Sequence, residues 1–581
     1  MDFEESVRLA GYRNLDDFFK RLVAPVLLIT VVLFITSFLF VMLYGDLFDF
    51  GEFTMVLYMM PFSALILGLL VVFGYPFYRI ERIKVNIHEN IHYFITYTGS
   101  MSTLHAKRRA LFRLASQRIE YGEIAKVMEK VAYLSDYWNL GIVKTCRKLS
   151  TMVPSKILGN FLDRMSAAFD FGERIDVFLK NEQSAVMEDF GTEYKQSLQT
   201  LSLVQDALVS LTIAVAFMMT IAFMLPLILG YDIVLLVALS GATLLLIDVL
   251  SIIFIDSFIT HDEICHRLPI KPPEYIKMRS IILPAVASCT ILGVVLFITQ
   301  PLPWNSVLIA MTLTPLAIIG YMANQMESAI IRKDQAFPAF IRSLGGSLSA
   351  RGGTLGGTLA GLRIHEFGVL NEAVQKLYAR LKIRCNKFQA WMYFAGETGS
   401  NMIEKFGSIF IQIITLGGNA EKASELISTN FIQILSLREL RLQMASSVKG
   451  IYYGTLLGVA GATLSTLRMV GILDNTFKKS FAAVAQTPSV SSLTAGFLPA
   501  IGDINLPMVE DMLFIILLIH AGFSAYSIKM VDGGPKYSAL LDFVIMAWLL
   551  SIVAVAVPWG FDIVFSQGQM GSGLVRGVGT P

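Results

Sequence analysis

Long apolar runs alternate with two long stretches of mixed polarity along this chain. The runs fall at 22–44, 53–78, 207–229, 233–255, 280–299, 303–323, 450–470, 509–528 and 539–558. Each approaches or exceeds the roughly 20 residues that a helix needs to cross about 30 Å of hydrocarbon, so the pattern predicts nine transmembrane helices. The mixed stretches carry a helical period. In "NFLDRMSAAFDFGERIDVFLKNEQ" the apolar residues Phe161, Leu162, Met165, Phe169, Ile175, Phe178 and Leu179 recur at spacings of three and four, with Gly172 placed where one helix ends and the next begins. "ELISTNFIQILSLRELRLQMASSVKGIYYG" has the same period and runs into the seventh apolar run with no breaker. The expected fold is an all-α polytopic membrane protein with two cytoplasmic helical bundles.

The expected organisation follows from these boundaries. Residues 1–79 hold an N-terminal segment and two transmembrane helices, 80–206 the first helical domain, and 207–323 four transmembrane helices. Residues 324–449 form the second helical domain, 450–558 three transmembrane helices with an outer loop at 471–508, and 559–581 a flexible extracytoplasmic tail. The first run follows a charged leader and is too long for a cleaved signal peptide, so it reads as retained.

Composition strengthens this picture. Of 581 residues, 54% are hydrophobic and only 16% charged, and the mean hydropathy is +0.61. Lys and Arg accumulate on the cytoplasmic side of membranes. They concentrate before the first run and in the two mixed stretches, whereas "GDLFDFGE", "GYD" and "QPLPWN" contain none. The N-terminus is therefore expected inside and the C-terminus outside. The formal net charge of +2 hides mixed stretches rich in both signs, which reads as solvated, partner-facing surface and not as nucleic-acid binding. Cys146, Cys265, Cys289 and Cys385 are scattered with no C-x-x-C pair, which argues against a disulfide framework or a cysteine metal site.

The two mixed stretches match each other at a fixed offset of 246. Phe94, Ile95 and Gly99 of "HYFITYTGS" fall on Phe340, Ile341 and Gly345 of "PAFIRSLGG", and Gly172 falls on Gly418. Glu193 and Lys195 fall on Glu439 and Arg441. A single gapless offset indicates a duplicated unit, and both copies have the same orientation, unlike the inverted repeats of many transporters.

Several short motifs compete for a functional reading. His88-Glu89-Asn90-Ile91-His92 matches H-E-x-x-H, the helix signature of zinc proteases, with Glu120 and Glu123 as the nearest further carboxylates. The second copy has Asp334, Gln335 and Pro338 at the equivalent positions, so the duplicated unit shares the helix and not the metal chemistry. "SARGGTLGGTLAG" spaces Gly352 and Gly357 like a phosphate loop, yet Thr358 stands where the lysine is required. No metal, nucleotide or other cofactor is expected. Lys107, Arg108, Arg109 and Arg113 form a basic cluster in the first domain, and Arg351 and Arg363 lie in the comparable part of the second. Such clusters suit a solvated face or contact with anionic lipid. Asp248 and His520 lie within apolar runs, where ionisable groups are functional candidates by default and interhelical hydrogen bonding is the favoured reading.

"NIHYFITYTGSMST" after two spans, the later "FGERIDVFL", and a second copy with "FPAFIRSLGGSLS" and "LGGNAEKASELI" resemble the F-type platform proteins of type II secretion and type IV pilus machines. Length and span count are most similar to the archaeal branch that assembles the archaellum. The resemblance covers about residues 80–475, with Gly99, Gly172, Gly345 and Gly418 as its motif glycines. It implies a non-enzymatic homodimer in the cytoplasmic membrane, engaged by a hexameric secretion ATPase and other archaellum motor components. It also implies assembly of type IV pilin-like archaellin subunits and makes the basic cluster a candidate ATPase-docking surface. An adhesive-pilus or secretion platform is the alternative within that family, and a membrane zinc protease is the remote one outside it.

Overall fold

The computed structural model describes residues 54–104, 108–138, 140–226, 233–259, 262–301, 304–352, 354–485 and 506–575 and scattered positions before 36, with the backbone alone at 54–71, 108–109, 351, 479–485 and 564–575. Among the described residues there is no β-strand, and one isolated bridge joins Cys265 to Ser400. The protein is all-α, as the periodicity predicts.

The duplication recurs element by element. In the first copy α1 (Thr54–Met101) is followed by α2 (Arg108–Ser116), α3 (Glu123–Asp136), α4 (Ile142–Ser150), α5 (Lys156–Asp170) and the long α6 (Ile175–Ala222). Next come α7 (Ile233–Phe258), α8 (Pro273–Thr299) and α9 (Asn305–Leu313). The second copy then has α10 (Leu316–Arg351), α11 (Leu355–Leu362), α12 (Asn371–Lys382), α13 (Lys387–Thr398), α14 (Asn401–Thr415) and the long α15 (Ala420–Ala485). The chain closes with α16 (Leu506–Asp532) and α17 (Ala539–Val575).

The described residues form two compact units. One comprises residues 1–190 with 412–426, the other residues 191–411 with 427–581. This differs from the expected boundaries, because the segment around the second copy's "LGG" packs with the first bundle. There the Tyr97 hydroxyl accepts a hydrogen bond from Gln412 Nε2 at 3.1 Å. A Cβ on Gly99 would stand 3.3 Å from Leu426 Cδ1 and 3.1 Å from Gln183 Cγ.

Among the described residues six helices are long and apolar enough to cross a bilayer: Ile175–Ala222, Ile233–Phe258, Pro273–Thr299, Ala420–Lys478, Leu506–Asp532 and Lys536–Ile563. Asn305–Leu313 and Leu316–Ala350, bent by 42°, make a seventh. Pro315 sits at that bend and removes a backbone donor there. These match seven of the nine expected runs. The run at 22–44 lies largely outside the described residues, and that at 53–78 is the beginning of α1. Small residues let the membrane helices close together: a Cβ on Gly241 would strike Ile516, and one on Gly320 would overlap the Leu541 backbone.

Two expectations are corrected. The outer loop expected at 471–508 is helical through Ala485, since "DNTFKKSFAAVA" contains neither proline nor glycine to break it; residues 486–505 lie outside the described set. The tail expected at 559–581 continues α17 to Val575. The motif glycines are also reassigned. Gly172 has φ +75° and ends α5, where the Glu173 N–H donates to the Ala168 carbonyl at 2.9 Å. In the second copy the same bond runs from the Gly418 N–H to Ile413, and Gly417 has the positive φ of +86°. The offset therefore slips by one residue, because the left-handed position must directly follow the last helical turn. Gly345 is buried within α10.

The two bundle cores are built around the equivalent residues Phe94 and Phe340, both fully buried. Phe94 meets Phe161 of α5 edge-on at 5.8 Å, whereas Phe340 stacks on Trp391 of α13 at 6.5 Å. The counterpart of Phe161 is Gly407, and the counterpart of Trp391 is Thr145. A Cβ on Gly407 would overlap the Trp391 indole nitrogen. The large residue has thus changed helices between copies while the volume stays filled, as close packing requires. Gly407→Ala should cost about 1–3 kcal/mol by overpacking, read as a lower melting temperature of the detergent-solubilised chain. Gly407→Phe should be far more damaging alone than with Trp391→Thr, which restores the first copy's arrangement; equal damage in both variants would refute this account.

Candidate functional site

The charged residues most deeply buried together were not among those singled out by the sequence. They gather in the second unit beyond the apolar part of α10, on four elements: segment 262–272, α10, α15 and the last turn of α16. Arg438 (8% exposed) makes a two-pronged contact with Asp262, through Nε and through Nη2 at 2.6 Å to Oδ1. Its Nη1 donates to Asp334 Oδ2 at 3.2 Å. The planar guanidinium fork is suited to such shared carboxylate recognition. Three residues along α15, Arg441 turns the other way and donates to the carbonyls of Val531 at 2.7 Å and Met530 at 3.1 Å. These are among the last carbonyls of α16, which its own hydrogen bonding leaves open. Lys529 donates to Glu327 at 2.7 Å and also pairs with Asp532.

The glycine pair in "VDGGPKYS" makes this packing possible. Gly533 has φ +86°, and a Cβ there would come within 2.7 Å of Arg441 Cζ; a Cβ on Gly534 would overlap the Glu327 carboxylate. Asp262, Glu327, Asp334 and Asp532 thus oppose Arg438, Arg441 and Lys529. Asp334 is fully buried and its Oδ1 has no well-formed hydrogen bond. Burial pushes its carboxyl up to about 6, with the Arg438 charge and the Ser400 hydroxyl pulling the other way. A cavity of about 30 Å³ lies against Asp334, Asp262, Arg438 and Asp532, room for a water or two.

The same segment is fastened to α13 and α14. The His266 N–H donates to the Gly399 carbonyl at 3.2 Å, and the Asn401 N–H to the Ile264 carbonyl at 3.0 Å. Burial holds the His266 imidazole below its ordinary value, so the ring is neutral at pH 7. Its Nδ1 accepts from the Leu268 N–H at 3.1 Å, which leaves Nε2 to donate to the Gly396 carbonyl at 2.9 Å. Burial raises the neighbouring Cys265 thiol to about 11.

The sequence-predicted residues are placed as follows. Asp248 of α7 and His520 of α16 meet, with His520 Nδ1 2.8 Å from Asp248 Oδ1 and 2.9 Å from Oδ2, and both are buried. One turn away on α7, the Ser251 hydroxyl stands 3.2 Å from that of Tyr452. Lys107 lies outside the described residues, as do the side chains of Arg108, Arg109 and Arg351. Arg108, Arg109 and Arg113 share α2, and Arg113 is exposed and pairs with Asp136 at 3.2 Å. Exposed Arg363 lies over the Tyr378 ring at 4.9 Å.

His88 and His92 lie one turn apart on α1, and their rings lie 5.0 and 4.8 Å from that of Phe190. Among the described residues no three His, Cys, Asp or Glu side chains are grouped as ligands. The glycine-rich stretch is a helix-to-helix joint: Gly352 (φ +56°) closes α10, and Thr354 Oγ1 caps α11 by accepting from the Gly357 N–H at 3.4 Å.

Separating the intramembrane pair leaves one polar group stranded, at a cost on the order of 3 kcal/mol. Asp248→Leu and His520→Leu should therefore each destabilise the chain strongly, and the double variant by clearly less than their sum. Unfolding of the purified protein in mixed micelles gives the cycle, and strict additivity would contradict the pairing.

No family model matches the chain, and no solved structure matches it. Two curated relatives, each named flagella accessory protein J, match almost end to end. That of Methanocaldococcus jannaschii is 31% identical over 548 residues, covering 93% of this chain and 94% of the relative. That of Methanococcus voltae is 30% identical over 549 residues, covering 93% and 95%. With the duplicated helical bundles and membrane helices included in that coverage, the chain belongs to the flagella accessory protein J family.

Proposed function

We propose that this chain is the membrane platform of an archaellum assembly machine, coupling a cytoplasmic secretion ATPase to the insertion of pilin-like archaellin subunits into the filament base. The observation that carries the reading is family membership across 93% of the chain. The helical architecture supports it: each bundle leads into the membrane through one uninterrupted helix, Ile175–Ala222 in the first copy and Ala420–Ala485 in the second. In this reading the chain has no catalytic site of its own. It resides in the cytoplasmic membrane as a homodimer, with the bundles and the N-terminus inside and the C-terminus outside, as the distribution of Lys and Arg favours.

ATP-driven displacement of the bundles is carried along α6 and α15, since a continuous helix transmits rotation and translation that a flexible joint would absorb. The basic helix α2, with Arg108, Arg109 and Arg113, offers the ATPase a surface for acidic groups. Other motor components would engage the same cytoplasmic side.

Inserting a short Gly-Ser linker after Lys449 should abolish filament formation while the purified protein still captures its ATPase; normal filaments would overturn the coupling. Reversing Lys107, Arg108 and Arg109 to Glu should weaken ATPase capture at least tenfold at low salt, since three attractions become repulsions. Unchanged capture would move docking away from α2.

A further inference from the structure

Segment 262–272 is gripped from two sides, by Arg438 through Asp262 and by α13–α14 through its backbone. The grip is built in detail. A Cβ on Gly396 would lie 2.8 Å from Ile270, and Gly399 (φ +82°) would press on Ile330 at 3.1 Å. The Arg438 fork also holds a second carboxylate, Asp334, which is fully buried and stands beside a cavity large enough for water. We propose that Asp334 is the release element of this clamp: with a proton it lets Arg438 hold segment 262–272 against the second helical domain, and without one it predisposes the clamp to open.

The groups around Asp334 define the balance. From α15 come Arg438, Arg441 and Glu439, from the segment Asp262, Glu263 and His266, and from the end of α16 Asp532. Lys333 is its neighbour on α10, Ser400 faces it from the start of α14, and Tyr194 of α6 lies by the two arginines. Among the described residues, Arg438 makes the direct ionic contact with it. A charged Asp334 thus has to share the Arg438 guanidinium with Asp262, whose carboxylate repels it. Opening hydrates Asp334 and returns it to ordinary carboxylate behaviour.

The sign of the effect follows from linkage. A carboxyl that ionises near 6 when closed and near 3.8 when hydrated makes opening release a proton. Opening therefore becomes easier as pH rises from about 4 to about 6, and levels off above. The full difference between the two values corresponds to about a hundredfold in the opening equilibrium. His266 acts in the opposite sense, because acid charges an imidazole that the closed clamp holds neutral. Comparing chains that differ only at Asp334 cancels that contribution.

Cys265 is half-buried in the clamped segment and Cys385 is exposed, so the protein carries both a probe and its reference. The full chain in detergent is treated with dithiodipyridine between pH 4.5 and 7, and modification of each thiol is followed by peptide mapping. The Cys265 rate in the native protein, divided by that of Cys385, should exceed that of Asp334→Asn only about sixfold at pH 4.5, where the hydrated carboxyl is already largely ionised and the closed one is not. By pH 7 it should be at least tenfold higher in the native protein, and approach a hundredfold. A ratio that does not change with pH would overturn the proposal. Should Asp334→Asn fail to fold, His266→Gln provides the second test. With Asp334 intact and the opposing group removed, Cys265 modification relative to Cys385 should rise steadily from pH 4.5 to 6.5, and a flat or falling profile would refute it.

Discussion

Charged side chains withdrawn from water must meet opposite charge or pay heavily in solvation, and that constraint organises the second unit. Arg438, Arg441 and Lys529 are each under a tenth exposed. To be paired they draw together segment 262–272, α10, α15 and the end of α16, elements that nothing in the local sequence would force into contact. The glycine pair at 533–534 exists to let two of these charged heads approach the backbone. Removing one partner strands the others, so the cluster acts as a cooperative fastening more than as a set of separate ion pairs. Its contribution is geometric, fixing which residues of α15 and α10 stand side by side, because buried ion pairs add little net stability over apolar packing.

Much of the fold was legible in the chain because hydrophobic period and duplication are local or fixed-offset signals. Gly172, the period in 161–179 and the unbroken passage from 424 into the seventh apolar run each reappear as a helix end or a continuous helix. The cluster was illegible for the opposite reason: Asp262 and Arg438 are 176 positions apart, and Asp334 and Arg438 are 104 apart. In the sequence Asp334 stands out only as the counterpart of His88, and Arg441 only as the counterpart of Lys195. Asp248 and His520 each stand out singly because a polar group is out of place in an apolar run. Their meeting across 272 positions is tertiary information. Gly418 shows how a correct motif can be misread by one residue, since sequence offset does not reveal which glycine takes the left-handed conformation.

The two copies also show what duplication conserves. Helix order, the fully buried Phe94 and Phe340, and the helix-ending turn are kept, while the residue that fills the space beside the phenylalanine moves from α5 to α13. Volume is preserved and identity is not, which is what a close-packed interior demands.

The packing of 412–426 with the first bundle has a consequence for synthesis. A bundle whose other residues end at 190 cannot be completed until 426 has left the ribosome. At about 5–20 residues per second, that interval is on the order of ten to fifty seconds. For that time the buried faces of Tyr97 and Gly99 stay uncovered by their eventual neighbours. The nascent first copy therefore waits, partly bare, for a piece of its successor, and the duplicated halves mature as one product and not in turn.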